Sequence, residues 1–161
     1  MSILNVIDNK YRDLWGMYDL QKNLKKNNID LFFCNKFNWN LAIKYINPSI
    51  IILPHIRDDS PHFKKIVNLA YEKKIKIICY PSESLDYRKS YLENEFPSNI
   101  VNKIDKIFMW TVEQGKYIED KNKEKIVVTG TTRFKNDNTA DHKGKIKTIG
   151  VTSSGRYLAP L

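Results

Sequence analysis

The sequence predicts a parallel α/β domain with helices on both faces of its sheet, and three observations carry that prediction. Short β-branched runs alternate with amphipathic stretches from Ile3 to Thr129. The clearest run, Ser49-Ile50-Ile51-Ile52-Leu53, is apolar almost throughout, as expected of a strand buried on both faces. The segments between runs are too long for hairpins, and no Asn-Gly pair occurs to close one. Strands alternating with helices in this way imply a doubly wound parallel sheet of Rossmann-like type.

Each element follows from local chemistry. Residues 3–7 read as a short buried strand followed by a polar loop. Asp13 is placed to cap a helix running to about Lys26, with Leu14, Met17, Tyr18, Leu20 and Leu24 near one face. Asn27-Asn28 ends it, and residues 29–34 form the second strand. A helix over 39–46 stops at Asn47-Pro48, because the residue before proline is driven out of the helical region. After the third strand, Ser60-Pro61 supplies a cap with proline in the first turn of a helix reaching Lys73. Residues 75–80 make the fourth strand, 86–95 a polar helix, 104–110 the fifth strand, 112–120 a short helix and 125–129 the sixth strand.

Composition narrows the class. The 161 residues are 42% apolar and 28% charged, which is ordinary for a globular chain and rules out general disorder. No apolar run approaches the length of a membrane span, and the amino terminus lacks the basic start of a secretory signal. A cytoplasmic location is the resulting expectation. The net charge of +9 comes mostly from Lys spread over helix surfaces, such as Lys22, Lys25, Lys64 and Lys73. Nucleic-acid readers cluster Arg with aromatic residues on one face, so no nucleic-acid partner is expected. Attraction to an anionic inner membrane surface, or to a phosphorylated substrate, is the charge's secondary reading. Cys34 and Cys79 end apolar runs and read as buried, reduced thiols without zinc or redox spacing.

The chain divides unevenly. Residues 1–134 carry the alternating pattern, and 135–145 lose almost every apolar residue and read as a linker. Residues 146–161 begin with an apolar run, Ile146 to Val151, expected to be the first strand of a truncated second domain.

In an open parallel sheet, ligands bind outside the carboxyl ends of the strands. The sequence there offers Asp8, Lys10 and Arg12 after the first strand, His55, Arg57, Asp58 and Asp59 after the third, and Ser82, Glu83 and Ser84 after the fourth. Trp110, Thr111 and Glu113 follow the fifth, and Thr129, Gly130, Thr131, Thr132 and Arg133 the sixth. Arginine is scarce, yet Arg12, Arg57 and Arg133 all fall at strand ends, where a guanidinium can hold phosphate or carboxylate in two-point fashion. Glu83 is placed to take a proton from a hydroxyl, with a capping role at Ser82 as the structural alternative. His55 and His62 stand seven apart, which is no metal-ligand spacing, and no metal is expected. Neither a glycine-rich dinucleotide loop, nor a P-loop, nor a nucleophile elbow occurs.

Three segments carry a family likeness. Lys10-Tyr11-Arg12-Asp13-Leu14-Trp15-Gly16, followed by Leu20 and Leu24, resembles an "R-D-L-x-G" opening. Asp105 through Trp110 with Glu113-Gln114 resembles "D-x-x-x-x-W-G-x-x-Q", and Val127 through Phe134 resembles "V-T-G-N-P-R-F-D". In order and spacing these resemble the amino-terminal half of bacterial surface carbohydrate biosynthesis proteins. That group is similar to GT-B glycosyltransferases and CDP-glycerol glycerophosphotransferases.

The resemblance implies the acceptor-side domain of a GT-B-type fold, facing a donor domain that this sequence lacks. It implies a carbohydrate or lipid-linked acceptor and a nucleotide-activated sugar or CDP-glycerol donor. No cofactor would be bound by this domain alone. Carried over by position, Arg12 and Arg133 would line the cleft and Glu83 would match the family's acidic residue as the base; the strand-end positions add Arg57 and Thr131 as substrate-binding residues and His55 as the substitute base. Glu83 is followed by Ser84 where the family has glycine, and Thr131-Thr132 stand in place of "N-P". The alternatives are a fragment of an enzyme like the UDP-sugar 2-epimerases, which share the scaffold, and a stand-alone flavodoxin-like binding or regulatory module. A phosphoreceiver module would use Asp8 with Asp58 or Asp59, but a lysine after the fifth strand is missing.

Overall fold

The computed structural model describes residues 1–81, 89–116, 118 and 120–130. Six strands form one sheet in the order β2-β1-β3-β4-β5-β6. They are β1 (Ser2–Ile7), β2 (Asp30–Asn35), β3 (Ile50–Leu53), β4 (Lys76–Cys79), β5 (Lys106–Met109) and β6 (Ile126–Val128). Every pairing is parallel, with Leu4 beside Phe32 on one side and beside Ile51 on the other. The α/β, doubly wound, Rossmann-like class expected from the sequence is the class observed.

The winding follows from this order. The step from β1 to β2 runs one way across the sheet, and every later step runs the other way. Right-handed crossovers then put the first helix on one face and the rest on the opposite face. The helices are α1 (Lys10–Lys25), α2 (Trp39–Ile46), α3 (Pro61–Glu72), α4 (Lys89–Glu95) and α5 (Ser98–Val101). Two cores record the division. Leu4, Val6, Ile51, Leu53, Ile77 and Ile107 meet Ile43, Phe63, Ile66, Leu92 and Ile100 of α2–α5 on one face. Ile3, Leu31, Ile52 and Tyr80 meet Met17, Leu20 and Leu24 of α1 on the other. The alternation of Ile51 and Ile52 between cores is the period of two that a strand imposes. Leu4, Ile51, Ile77 and Ile107 are wholly buried, each stabilising by about 1.5–3 kcal/mol.

Several local expectations are corrected. The cap of α1 is Asn9, whose Oδ1 accepts from the Tyr11 and Arg12 amides. Asp13 lies inside the helix, and its carboxylate reaches back to accept from the amides of Asp8 and Asn9. The expected helix over 112–120 is instead a 3-10 turn at Val112–Gly115, and a second 3-10 turn spans Asp120–Lys125. A four-residue helix, α5, fills the approach to β5 that the sequence left unassigned. Cys79 is buried, but Cys34 is only partly so, and both thiols are free. Burial pushes the Cys34 thiol up to about 11, and pushes that of Cys79 well up, with the Glu95 charge adding to it. Glu83, Thr131, Arg133, the linker over 135–145 and the strand expected at 146–151 lie outside the described residues. Among the described residues no helix is long and apolar enough to cross a membrane.

Candidate functional site

The direction of winding reverses between β1 and β3, and their carboxyl ends open side by side. This is where open α/β sheets bind ligands. Asp8 follows β1 at this point and organises it. Its Oδ1 accepts from Lys36 Nζ at 2.7 Å, and its Oδ2 accepts from the Arg12 guanidinium at 3.1 Å. His55 Nε2 lies 3.6 Å from the same Oδ2, a contact slightly longer than a hydrogen bond. The carboxyl edge of three strands thus converges on one carboxylate: Asp8 from β1, Lys36 from β2 and His55 from the loop after β3.

The electrostatics follow from burial and pairing. Burial alone would raise the Asp8 carboxyl. The Lys36 hydrogen bond, the His55 and Lys36 charges and the Arg12 hydrogen bond overcome it and hold the group below its usual value of 3.8. Asp8 is therefore anionic at neutral pH and accepts only. Burial, with the Arg57 and Arg12 charges, drives the His55 imidazole down from 6.5 to about 4, against the pull of Asp8. His55 is neutral at pH 7, so the nitrogen facing the Asp8 carboxylate carries the proton. Its Nδ1 is buried without a hydrogen-bond partner, and the ring packs on Phe63 with centroids 4.2 Å apart.

Arg12 and Arg57 take different positions. Arg12 donates through Nε to Asp13 at 2.6 Å as well as to Asp8, so its fork is occupied by two carboxylates of its own chain. Arg57 Nε lies 3.8 Å from both Asp59 and the buried Glu95, and Nε itself makes no hydrogen bond. Asp58 pairs with Lys64 at 2.6 Å. The structure therefore brings Arg12 and His55 together on Asp8, with Arg57 close enough to act on the imidazole charge. Glu83, Thr131 and Arg133 lie outside the described residues. Lys36 escaped the sequence reading, although the strand-end rule that selected Arg12 and His55 points to it, directly after Asn35 at the end of β2.

The motif around β5 is structural. Asp105 Oδ2 accepts from the Ile77 amide at 2.7 Å, while the Asp105 amide donates to the Ile77 carbonyl at 2.9 Å. Trp110 Nε1 donates to the Pro81 carbonyl at 2.9 Å. Gln114, fully buried, accepts from the amides of Trp110 and Thr111. Trp110 thus ties the carboxyl end of β5 to the segment after β4, and Gln114 orders the backbone there, which fixes the rim, while Asp105 joins β5 to β4 at the opposite, amino edge.

On the α1 face, an apolar cleft of about 260 Å³ lies between Met17, Leu20, Ile52, Ile78, Tyr80 and Phe108. Tyr80 lines it, its hydroxyl donating to the Gly130 carbonyl. Among the described residues no group of three or more His, Cys, Asp or Glu side chains is arranged to hold a metal. No family model matches the chain, and no curated protein sequence matches it.

Proposed function

We propose that this chain is the acceptor-side domain of a GT-B-type glycosyltransferase, or of a glycerophosphotransferase of the same build, acting in bacterial surface polysaccharide biosynthesis. The observation that carries this reading is the convergence of Asp8, Arg12, Lys36 and His55 at the reversal between β1 and β3. The Lys36 ammonium and the Asp8 carboxylate stand side by side as donor and acceptor, with Arg12 and His55 holding the carboxylate in place, which suits a polyhydroxylated ligand, since hydroxyls both give and take hydrogen bonds. The three sequence motifs add support. The candidate base is Glu83, four residues beyond Cys79 in the sequence; His55, the substitute the sequence offers, keeps its one lone pair on the buried Nδ1 and is better suited to positioning Asp8. The donor, a nucleotide-activated sugar or CDP-glycerol, belongs to a separate domain in this reading. The acceptor is a carbohydrate or a lipid-linked carbohydrate, which would also bring the domain to an anionic membrane surface.

Isothermal titration calorimetry of the whole chain tests the assignment. Capsular or teichoic-type oligosaccharides should bind, and Asp8→Asn should weaken them about tenfold. Sugar nucleotides and CDP-glycerol should not bind. Donor binding without acceptor binding contradicts the reading.

The strand order favours one second reading. It contains the 2-1-3-4-5 order of flavodoxin-like modules, whose ligand also sits at the reversal. Incubation with a small phosphodonor, followed by mass spectrometry, separates the two. Phosphate on Asp58 or Asp59 makes the chain a regulatory module, and its absence removes that reading.

A further inference from the structure

We propose that Phe37, Lys36 and Asp8 form a subsite for a neutral pyranose ring. The Phe37 ring stacks on its C–H face, while Asp8 and Lys36 share two neighbouring ring hydroxyls. The inference rests on the carbohydrate-acceptor reading and specifies the part of the ligand nearest β1 and β2.

Phe37 is 67% exposed, and leaving such a ring in water forgoes about 1.5–3 kcal/mol of burial. The loop that presents it is nevertheless fixed. Asn35 Oδ1 accepts from the amides of both Phe37 and Asn38 at 2.9 Å. The Lys36 amide donates to the Ile7 carbonyl, tying the loop to β1. His62 of α3 backs the ring in a perpendicular contact, with centroids 5.2 Å apart. The ring is thus held between His62 and the Lys36 ammonium, which lies over it, and still exposes two thirds of its surface for a stacking partner.

The polar half of the subsite adjoins it. Lys36 Nζ lies 5.6 Å from the Phe37 ring centroid and 2.7 Å from Asp8 Oδ1. Side-chain exposure rises outward, from 7% at His55 through 16% at Asp8 to 33% at Lys36. The series therefore runs from a sealed imidazole to an open ring. Lys36 keeps protons beyond the one given to Asp8, and Oδ1 keeps a second lone pair. A donor and an acceptor held one hydrogen-bond length apart match two adjacent hydroxyls of a sugar. One hydroxyl accepts from the ammonium and the other donates to the carboxylate. The Lys36–Asp8 pair itself carries no net charge and so offers an uncharged ring both a donor and an acceptor.

The probes are methyl α-D-glucopyranoside, methyl α-D-galactopyranoside and uridine, titrated into the whole ¹⁵N-labelled chain to about 50 mM, a range suited to millimolar affinity. At least one pyranoside should shift the amides of Lys36, Phe37 and Asn38, and its C–H protons should move upfield through the Phe37 ring current. Phe37→Ala should weaken binding about tenfold, and Phe37→Trp should retain it. Unchanged binding in Phe37→Ala overturns the subsite, as does uridine shifting these amides in place of the sugars. Sugar binding elsewhere on the carboxyl edge, indifferent to Phe37→Ala, removes the subsite but leaves the acceptor reading standing. Absence of binding by the pyranosides and by the longer oligosaccharides removes both.

Discussion

Asp8 Oδ1 and Lys36 Nζ lie 2.7 Å apart, joining the carboxyl end of β1 to that of the edge strand β2. The second oxygen of Asp8 serves Arg12, so one carboxylate offsets two cations from different elements.

Asp8→Asn keeps the shape and removes the charge. Asp8 is 16% exposed, so the loss should fall between that of an exposed and a buried ion pair, about 1–3 kcal/mol. Urea unfolding at neutral pH measures it. Arg12 retains Asp13 as partner, so Asp13→Asn combined with Asp8→Asn should cost more than the sum of the two singles.

Stability should rise with pH between about 4 and 6.5. The folded His55 resists protonation down to about 4, whereas an unfolded histidine takes a proton near 6.5. In that window the unfolded state binds more protons, so acidification favours unfolding. A shift of this size corresponds to about 3 kcal/mol across the window. Below it, Asp8 adds a loss of the same sign as its lowered carboxyl is finally protonated. Urea midpoints measured from pH 4 to 7 should slope upward in the parent chain and flatten in His55→Gln. An unchanged slope in that variant contradicts the assignment.

Gln114→Ala should be more damaging than Trp110→Phe. Removing the Gln114 amide strips the acceptor from two strand-end N–H groups and leaves a void at a fully buried site, costing about 2–4 kcal/mol. Trp110→Phe loses one hydrogen bond to the Pro81 carbonyl, worth about 1 kcal/mol. Thermal or urea unfolding ranks the two.

Gly130→Ala probes the backbone just beyond the end of β6. Gly130 has φ of +76°, and a Cβ there would meet no atom of the described residues within 4 Å. The cost is purely conformational, about 1 kcal/mol, and Gly130→Asn should recover part of it because asparagine tolerates the left-handed region. Equal stability of the alanine and asparagine variants contradicts this.

The legibility of the chain varied with the length scale of the signal. Strands such as Ile50–Leu53 were readable because burial on both faces leaves a near-continuous β-branched run. The alternation of those runs with helices was enough for the winding. Four-residue α5 and the 3-10 turns were not readable, because they are shorter than the period a helical pattern needs. The cap of α1 was misplaced by four residues because both Asn9 and Asp13 are capping types. Only the fold shows that Asn9 serves the helix and Asp13 serves the loop before it. In the site, Arg12 and His55 followed from the strand-end rule. Their shared partner did not follow, since that Asp8 would gather Lys36 from a strand 28 residues away depends on β2 lying beside β1. Phe37 was invisible for a related reason. An aromatic residue in a sequence reads as core until its exposure is known.

A residue-resolved map of ligand contact tests the central claim most directly. The whole ¹⁵N-labelled chain is titrated with a surface-polysaccharide oligosaccharide and followed by amide chemical shifts. The account predicts movement concentrated at Asp8, Arg12, Lys36, Phe37, His55 and Arg57, with the amino edge of the sheet around Lys74, Lys103 and Lys125 unmoved. Shifts confined to that opposite edge, or no shifts at saturating oligosaccharide, contradict it.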